Sequence, residues 1–359
     1  MGLLLVNNAQ DVFRGGIMEN PVGLNGMDFL EYVGPEASLF SSLFARLGFQ
    51  KVAQHRSKKI ALYRQGDIQF FINEEAQGFA PVFSQEHGPS ICSTGFRVQD
   101  AEHAFRTAVA RGARPYEQEE AKSFPAPAIY GIGDSLVYFV DEKVSQKIYA
   151  DLFAHDLKAA SVLGSGFTLI DHMTNNVPVG EMQKWCDFYE NIFNFKERRF
   201  FDIKGAKTGL ISKVMRSPCG LITIPINEPT DEKSQIQEYI NEYQGSGIQH
   251  VALLTHDICP SMEKVQGERI PVLQIPKTYY EAIPQRLKNV TEDISELERL
   301  QVLVDGDQEG YLLQLFTQNL IGPIFFEFIQ RKNHFGFGEG NFQALFDAIE
   351  RDQARRGVL

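Results

Sequence analysis

The stretch FTLIDHMTNNV, residues 167–177, has the alternating apolar pattern of a half-buried β-strand. A helical pattern over 180–193 follows it, and then three more strand patterns, ERRFFDI, GLISKVMRS and LITIPIN. The order of strand, helix and three strands defines a βαβββ module. Because this order is found again elsewhere in the chain, it decides the fold.

The same order of elements recurs in three other segments. One runs over about 26–73 and starts with MDFLEYVG, and another runs over about 90–141 and starts with STGFRVQ. The last starts with GIQHVALLT, carries a long insert over 258–300, and ends with YLLQLFT and PIFFEFIQ. Repetition of one unit predicts a modular fold. We predict an α+β fold of four βαβββ modules, paired into two open barrel-like halves.

The number of residues agrees with this division, because a chain of 359 residues suits two units of roughly 150–200 residues each. We place an N-terminal half at 1–150 and a C-terminal half at 151–359, with the linker near 143–166. The final helical pattern, 341–355, starts at Asn341 as N-cap and has Phe342, Leu345 and Phe346 on one stripe. It predicts a helix that covers the C-terminal cup as a lid.

The composition argues against several classes of protein. Lys and Arg total 35 against 46 for Asp and Glu, a net charge of −11, and this balance argues against a general nucleic-acid binder or a protein that binds anionic membranes. The longest apolar run near the start, 3–6, is too short for a signal peptide or a membrane span. The four cysteines contain no CxxC pair. We therefore expect reduced thiols, a cytoplasmic location, and neither a nucleic-acid nor a membrane partner.

Two histidines and one glutamate lie inside strand patterns. His172 and His250 lie on the first strands of the third and fourth modules, and Glu327 lies in the apolar run PIFFEFIQ. A carboxylate in such a strand is costly unless it is paired or binds a metal. Two imidazoles and one carboxylate form the facial triad of non-haem Fe(II) oxygenases. A histidine inside a strand is more often a hydrogen-bonded core residue, so the pattern alone leaves both interpretations open.

The N-terminal half lacks this set of three residues. Alignment of MDFLEYVG with IDHMTNNV places Phe29 at the position of His172. Ser93 falls at about the position of His250. We predict that the first half has the same shape without a metal, and that it serves a structural role or forms an interface.

Six runs occur together and in order: IDHMTNNV, KSQIQEYI, GIQHVALLT, YLLQLFT, FFEFIQRK and GFGEGNFQALFDAIE. With them the chain resembles, over nearly its whole length, the 4-hydroxyphenylpyruvate dioxygenase family of the vicinal-oxygen-chelate superfamily. The resemblance implies the vicinal oxygen chelate fold, and Fe(II) bound by His172, His250 and Glu327. It also implies a dioxygenase that converts 4-hydroxyphenylpyruvate and O₂ to homogentisate and CO₂ in tyrosine and phenylalanine catabolism.

The resemblance further implies which side chains surround the substrate. The polar ones match glutamines of the substrate site and residues that orient the substrate or its phenol, and the aromatic ones match rings that sandwich the substrate ring. These residues are Gln235, Gln249, Gln314, Ser212, Asn227, Phe316, Phe337 and Phe342.

Alternatives stay open. 4-Hydroxymandelate synthase resembles this family and uses the same substrate and metal triad, but it hydroxylates the benzylic carbon. The fold also hosts metal-assisted isomerases and non-catalytic binding proteins. A protein that only sequesters a ligand would not need an intact set of two histidines and a glutamate. The run GFGEGNF, 336–342, departs from a dinucleotide fingerprint because its third glycine is one residue early. We interpret it as a hinge for the lid helix. We also expect a homo-oligomer, either a dimer or a tetramer.

Overall fold

The computed structural model describes residues 18–155, 162–204 and 208–341, together with Gly357. Within these ranges the strands form two eight-stranded sheets, and each sheet mixes parallel and antiparallel neighbours. None of the described helices has the length and apolar character that crossing a bilayer requires.

The first sheet belongs to the N-terminal modules. Its strands are β1 (Leu24–Val33), β2 (Gln50–His55), β3 (Ile60–Gln65), β4 (Ile68–Asn73), β5 (Ser90–Val98), β6 (Ala128–Tyr130), β7 (Leu136–Val140) and β8 (Phe153–His155). They lie side by side in the order β6-β7-β5-β1-β4-β3-β2-β8. The helices of this part are α1 (Ala37–Arg46), α2 (Phe79–His87), α3 (Ala101–Ala110) and α4 (Glu142–Gln146).

The second sheet belongs to the C-terminal modules. Its strands are β9 (Phe167–Asn176), β10 (Lys196–Lys204), β11 (Gly209–Arg216), β12 (Thr223–Pro229), β13 (Gly247–Thr255), β14 (Leu303–Gly306), β15 (Tyr311–Phe316) and β16 (Phe325–Lys332). They lie in the order β10-β11-β12-β9-β13-β16-β15-β14. The helices are α5 (Met182–Phe193), α6 (Gln235–Tyr243), α7 (Ile258–Gly267), α8 (Lys277–Arg286) and α9 (Ile294–Leu300).

The two sheets repeat the same pairing at their centres. In each sheet the first strands of two modules pair antiparallel, β1 with β5 and β9 with β13. Each of these strands also has a parallel neighbour from its own module: β4 beside β1, β7 beside β5, β12 beside β9 and β16 beside β13. The predicted fold of two half-barrels built from repeated modules is thereby confirmed.

One strand departs from the simple repeat. After β7 the chain crosses the first sheet, and β8 pairs with β2 at the opposite edge. Phe153 of β8 is buried and packs against Phe71, with ring centroids 5.3 Å apart. The first sheet therefore includes residues beyond 150, while the division of the chain into functional halves at that position stays a prediction. The predicted lid helix over 341–355 lies outside the described residues, except for the buried Asn341.

In the first sheet, aromatic side chains occupy the position that His172 has in the second sheet. Phe29 is fully buried, and its ring lies 4.8 Å from that of Phe124 and 5.2 Å from that of Phe71. Gly95 lies opposite Phe29 in β5, and a Cβ atom there would come within 2.5 Å of the Phe29 ring. The absence of a side chain at Gly95 is therefore a condition for the packing of Phe29.

We expect Gly95→Ala to destabilise the protein by about 1–3 kcal/mol, because the added methyl group overpacks a rigid aromatic core. The measurement is the shift of the denaturation midpoint in urea. Gly267→Ala is the control, because a Cβ atom at this helical position meets no described heavy atom within 4 Å. The control should be neutral or slightly stabilising. Equal midpoints for the two variants would contradict the packing argument.

Candidate metal centre

Three adjacent strands at the centre of the second sheet bring His172, His250 and Glu327 together. Ala252 of β13 is in register with both His172 of β9 and Glu327 of β16. His250 lies two residues before Ala252, and side chains two residues apart in a strand share a face. The three side chains therefore point into the same cup, and their potential ligand atoms all lie within 4.8 Å of one another.

The carboxylate of Glu327 lies between the two imidazoles. Its Oε2 atom is 3.1 Å from Nε2 of His172 and 3.5 Å from Nε2 of His250. Burial favours the neutral form of His172, but the charge of Glu327 and hydrogen bonds to Asp171 and Glu327 outweigh it and raise the pKa of His172 to about 9. Burial lowers the pKa of His250.

The same contacts act in the opposite direction on Glu327. Burial alone would raise the pKa of Glu327, but the charge of His172 and the hydrogen bonds from both imidazoles lower this pKa to about 2. A proton on His172 therefore neutralises the buried carboxylate. A divalent cation would bind the same three donor atoms and displace that proton, as metal ions do at histidine sites. The donor set fits a transition metal that accepts nitrogen and oxygen ligands.

A β-bulge fixes the orientation of His172. Ala252 is in register with His172 and Leu253 with Ile170, so Asp171 is the extra residue of β9. Nδ1 of His172 donates to Oδ1 of Asp171 over 2.8 Å. This contact leaves Nε2 available for a metal, as in other sites where a carboxylate orients a histidine ligand.

Arg331 holds Asp171 in turn. Its Nε and Nη2 atoms donate to the two carboxylate oxygens of Asp171 over 2.8 and 2.7 Å. Burial opposes ionisation of Asp171, but the guanidinium charge and these hydrogen bonds lower its pKa. Nη1 of Arg331 donates to the carbonyl oxygen of Gly336 over 2.7 Å. His172 is thus connected, through Asp171 and the ion pair with Arg331, to the segment that carries Phe337.

Gln314 supports the carboxylate of Glu327. Its Nε2 atom donates to Oε1 of Glu327 over 2.9 Å and to the carbonyl oxygen of Phe337 over 3.0 Å. Its Oε1 atom accepts from Nδ2 of Asn341 over 3.0 Å. Gly338 has φ +80°, and a Cβ atom there would lie 1.9 Å from Oε1 of Gln314. In the described structure Gln314 thus links Glu327 to the backbone at Phe337, and its role at the substrate stays a prediction.

A cavity extends from His172, His250 and Glu327 into the cup. Of the side chains that the sequence predicts around the substrate, it is lined by Ser212, Asn227, Gln235, Gln249, Phe316 and Phe337. Phe342 lies outside the described residues. The cavity is also lined by residues that the sequence analysis does not single out: Thr174, Phe201, Ile203, Leu210, Val214, Pro225 and Phe325. Most of these are apolar residues of β10, β11 and β12.

Aromatic rings surround the two histidines. The ring of Phe325 stacks on His250 with centroids 4.7 Å apart and an interplanar angle of 21°. Phe316 meets Phe325 edge to face at 6.3 Å. The ring of Phe337 meets His172 edge to face at 5.5 Å. These contacts hold the imidazoles and give the cavity aromatic walls.

The fold and this centre define a member of the glyoxalase and dioxygenase superfamily. Residues 169–282 match the model of the "Glyoxalase/Bleomycin resistance protein/Dioxygenase superfamily". Residues 18–154 match the model described as "Hydroxyphenylpyruvate dioxygenase, HPPD, N-terminal".

Comparison with individual relatives indicates which family within this superfamily the chain belongs to. Protein MelA of Shewanella colwelliana is 50% identical over 95% of this chain and 99% of its own length. A 4-hydroxyphenylpyruvate dioxygenase of Legionella pneumophila is 47% identical over 95% of this chain and 98% of its own length. A solved structure of a 4-hydroxymandelate synthase mutant from Streptomyces coelicolor has a TM-score of 0.79 at 25% identity, covering 92% of this chain and 99% of that one. The chain belongs to the 4-hydroxyphenylpyruvate dioxygenase family, and it is a dioxygenase.

We expect Glu327→Ala to lose Fe(II) binding, because it removes the only carboxylate of the three-residue set. Anaerobic calorimetry with Fe(II) measures the affinity, and circular dichroism checks that the fold survives. Glu263→Ala, which removes a carboxylate that pairs with the exposed Arg299, is the control and should bind Fe(II) normally. Fe(II) binding by Glu327→Ala at the affinity of the unchanged protein would show that Glu327 is not a ligand.

We expect Asp171→Asn to weaken Fe(II) binding by about 10- to 100-fold, because an amide supports the histidine ligand less well than a carboxylate. The same anaerobic titration measures the change. Asp67→Asn removes an exposed carboxylate of the hairpin between β3 and β4 and serves as the control. If both variants bind Fe(II) equally well, Asp171 does not orient the ligand.

Proposed function

We propose that the protein is a 4-hydroxyphenylpyruvate dioxygenase. It converts 4-hydroxyphenylpyruvate and O₂ to homogentisate and CO₂, with Fe(II) bound by His172, His250 and Glu327, in tyrosine and phenylalanine catabolism. The observation that carries this proposal is the convergence of these three side chains at a cavity with amide, hydroxyl and phenylalanine walls. Relatives of that name, with 44–47% identity over almost the whole chain, support it.

Iron, when bound, supplies the redox chemistry that O₂ activation and oxidative decarboxylation require. His172, His250 and Glu327 would hold the iron, and a set of only three protein ligands would leave room for a bidentate 2-oxo acid and O₂. Because the substrate carries its own 2-oxo acid group, the reaction needs no separate 2-oxoglutarate. The protein contributes ligand orientation through Asp171 and Gln314.

Neutral polar groups suit the phenol end of this substrate. Ser212 and Asn227 are in register across β11 and β12, and both line the cavity. Nδ2 of Asn227 donates to Asn176 over 3.3 Å. Oγ1 of Thr174 is buried and has no hydrogen-bond partner among the described residues, so it is available to a bound ligand. Amides and hydroxyls can bind a phenol without forcing it to ionise.

Aromatic and aliphatic walls exclude water and restrict the plane of the substrate ring. Phe316 and Phe337 line the cavity from β15 and from the segment after β16. Leu210 and Val214 of β11 line it as well and are buried. Stacked or edge-to-face contacts with phenylalanine hold a ring in a defined orientation. A fixed ring next to the metal centre favours attack on one carbon only.

Benzylic hydroxylation remains the alternative, because the structural relative with a TM-score of 0.79 is a 4-hydroxymandelate synthase mutant. The two reactions consume the same substrates. They differ in the carbon that is hydroxylated, and only attack on the ring is followed by migration of the side chain, which gives homogentisate. The GFGEGNF run with Phe337, and Asn227 in the run PINEP, support ring hydroxylation through the resemblance to the dioxygenase family.

The proposal has further parts at the level of the whole protein. It includes a homo-oligomer, either a dimer or a tetramer, and a cytoplasmic location, which agrees with the four unpaired thiols in the described residues. It also assigns a structural role to the N-terminal half, where Phe29 and Ser93 lie at the positions of the histidine ligands. Fe(II) and the metal centre belong to the C-terminal half alone.

The product distinguishes the two reactions. We expect the iron-loaded protein to consume O₂ with 4-hydroxyphenylpyruvate and to form homogentisate, identified by mass and retention time. Hydroxymandelate as the product would overturn the proposal in favour of the synthase. O₂ uptake that does not depend on 4-hydroxyphenylpyruvate would exclude both reactions.

We expect Asn227→Ala to lower kcat/KM for 4-hydroxyphenylpyruvate by about tenfold, the effect of losing roughly one hydrogen bond in a buried site. Asn241→Ala on the exposed side of α6 is the control and should retain the full value. Steady-state O₂ uptake measures both. Equal kcat/KM values in the two variants would remove Asn227 from the substrate site.

A further inference from the structure

Thr174 places an unpartnered hydroxyl group in the wall of the cavity at the candidate metal centre. It lies in β9, two residues after His172, and its side chain lines the cavity. The residue is only 2% exposed, and its Oγ1 atom finds no hydrogen-bond partner in the part of the chain that the structure describes. A buried polar atom without a partner is destabilising. Such an atom in a cavity wall points to a partner that arrives with a ligand.

One face of β9 carries three successive levels of the cup, at His172, Thr174 and Asn176. Residues 172–176 pair with β13 without a shift on the β9 side, so these three side chains share a face, and successive levels are about 7 Å apart. Asn227 of β12 is in register with Asn176, and Ser212 of β11 is in register with Asn227. Thr174 therefore lies between the level of His172 and the level of the polar groups Ser212 and Asn227.

The neighbours of Thr174 at its level make its hydroxyl group a distinct feature of the wall. Thr174 is in register with His250, and His250 with Phe325. On the other side of β9, Val214 and Pro225 are in register with each other, and both line the cavity. These neighbours are apolar or, in the case of His250, belong to the candidate metal centre. A ligand that fills the cavity must therefore offer this hydroxyl group a partner or leave it without one.

The proposed substrate has no polar atom at this level, whereas the proposed product has one. With the 2-oxo acid at the metal centre and the phenol at Ser212 and Asn227, the substrate ring passes Thr174 with carbon atoms only. In homogentisate the added hydroxyl group is on the ring carbon that first carried the side chain, para to the original phenol. With one ring oxygen at Ser212 and Asn227, the other therefore faces the metal centre, towards the level of Thr174.

We infer that Thr174 binds the hydroxyl group that the reaction adds to the ring. The inference rests on the proposed function, because it takes the product to be homogentisate. One oxygen atom of O₂ becomes this hydroxyl group, and the other enters the carboxylate that remains after CO₂ leaves. No covalent bond to Thr174 forms or breaks. A hydrogen bond that exists only once the ring carries the new oxygen stabilises ring attack over the bound substrate.

The test compares two ligands that differ by this hydroxyl group alone. Removal of the added hydroxyl group from homogentisate gives 3-hydroxyphenylacetate. Anaerobic calorimetry with the iron-loaded protein measures both dissociation constants. We expect the unchanged protein to prefer homogentisate, and Thr174→Val to reduce this preference by about three- to tenfold, the effect of one lost hydrogen bond. The affinity of Thr174→Val for 3-hydroxyphenylacetate should hardly change, because this ligand offers Thr174 no oxygen.

Two further variants separate the hydroxyl group from the shape of the side chain. Thr174→Ser keeps the hydroxyl group and should keep the preference. Thr278→Val removes an exposed threonine hydroxyl group from α8 and should bind both ligands as the unchanged protein does.

Three results would overturn the inference: no preference for homogentisate in the unchanged protein, an undiminished preference in Thr174→Val, or an equal loss of affinity for both ligands in that variant. The last result would mean that Thr174 only shapes the cavity. If the unchanged protein forms no homogentisate from 4-hydroxyphenylpyruvate, the proposed function itself is wrong.

Discussion

The carboxylate of Glu327 is the group on which the arrangement of the C-terminal half depends. It is almost fully buried in an apolar strand, where an unpaired charge would strongly destabilise the fold. Both of its oxygens have partners: one faces the two imidazoles and the other accepts from Gln314. Each partner is held in turn, His172 by Asp171 and Gln314 by Asn341. One buried negative charge thus organises β9, β13, β15, β16 and the segment that follows them.

Comparison of the two sheets shows that the fold does not determine this chemistry. Register places Phe29, Ser93 and Tyr138 where the second sheet has His172, His250 and Glu327. The first sheet also buries a carboxylate, that of Glu31, but it accepts hydrogen bonds from neutral groups, Asn73 and Ser93. Neutral donors satisfy a buried carboxylate without creating a metal site. The same pairing of strands therefore supports a packed core in one half and a candidate metal centre in the other.

Much of the fold and of the metal centre could be predicted from the sequence, since both depend on patterns that are local or repeated. The alternation of apolar residues in strands and their helical spacing in helices predict the four modules. Glu327 stands out because it is a charged residue inside the apolar run PIFFEFIQ. Asp171 could not be found this way. Strict alternation would place it on the face opposite to His172, and only the bulge in β9 brings the two side chains together. The position of β8 at the far edge of the first sheet could not be predicted either, because it depends on tertiary packing and not on a local sequence pattern.

The hydrogen-bond partners of Gln314 are likewise not encoded in a local pattern. A glutamine in a buried strand is expected to form hydrogen bonds. The strand pattern does not indicate whether its partner is a bound ligand or a neighbouring side chain. Here Gly338 allows the backbone after β16 to approach so closely that the amide of Gln314 joins Glu327 to Phe337. Since Arg331 joins Asp171 to Gly336 in the same way, His172 and Glu327 are both coupled to one short segment. Movement of that segment would disturb His172 and Glu327 together, so the aromatic wall at Phe337 and the metal centre behave as one structural unit.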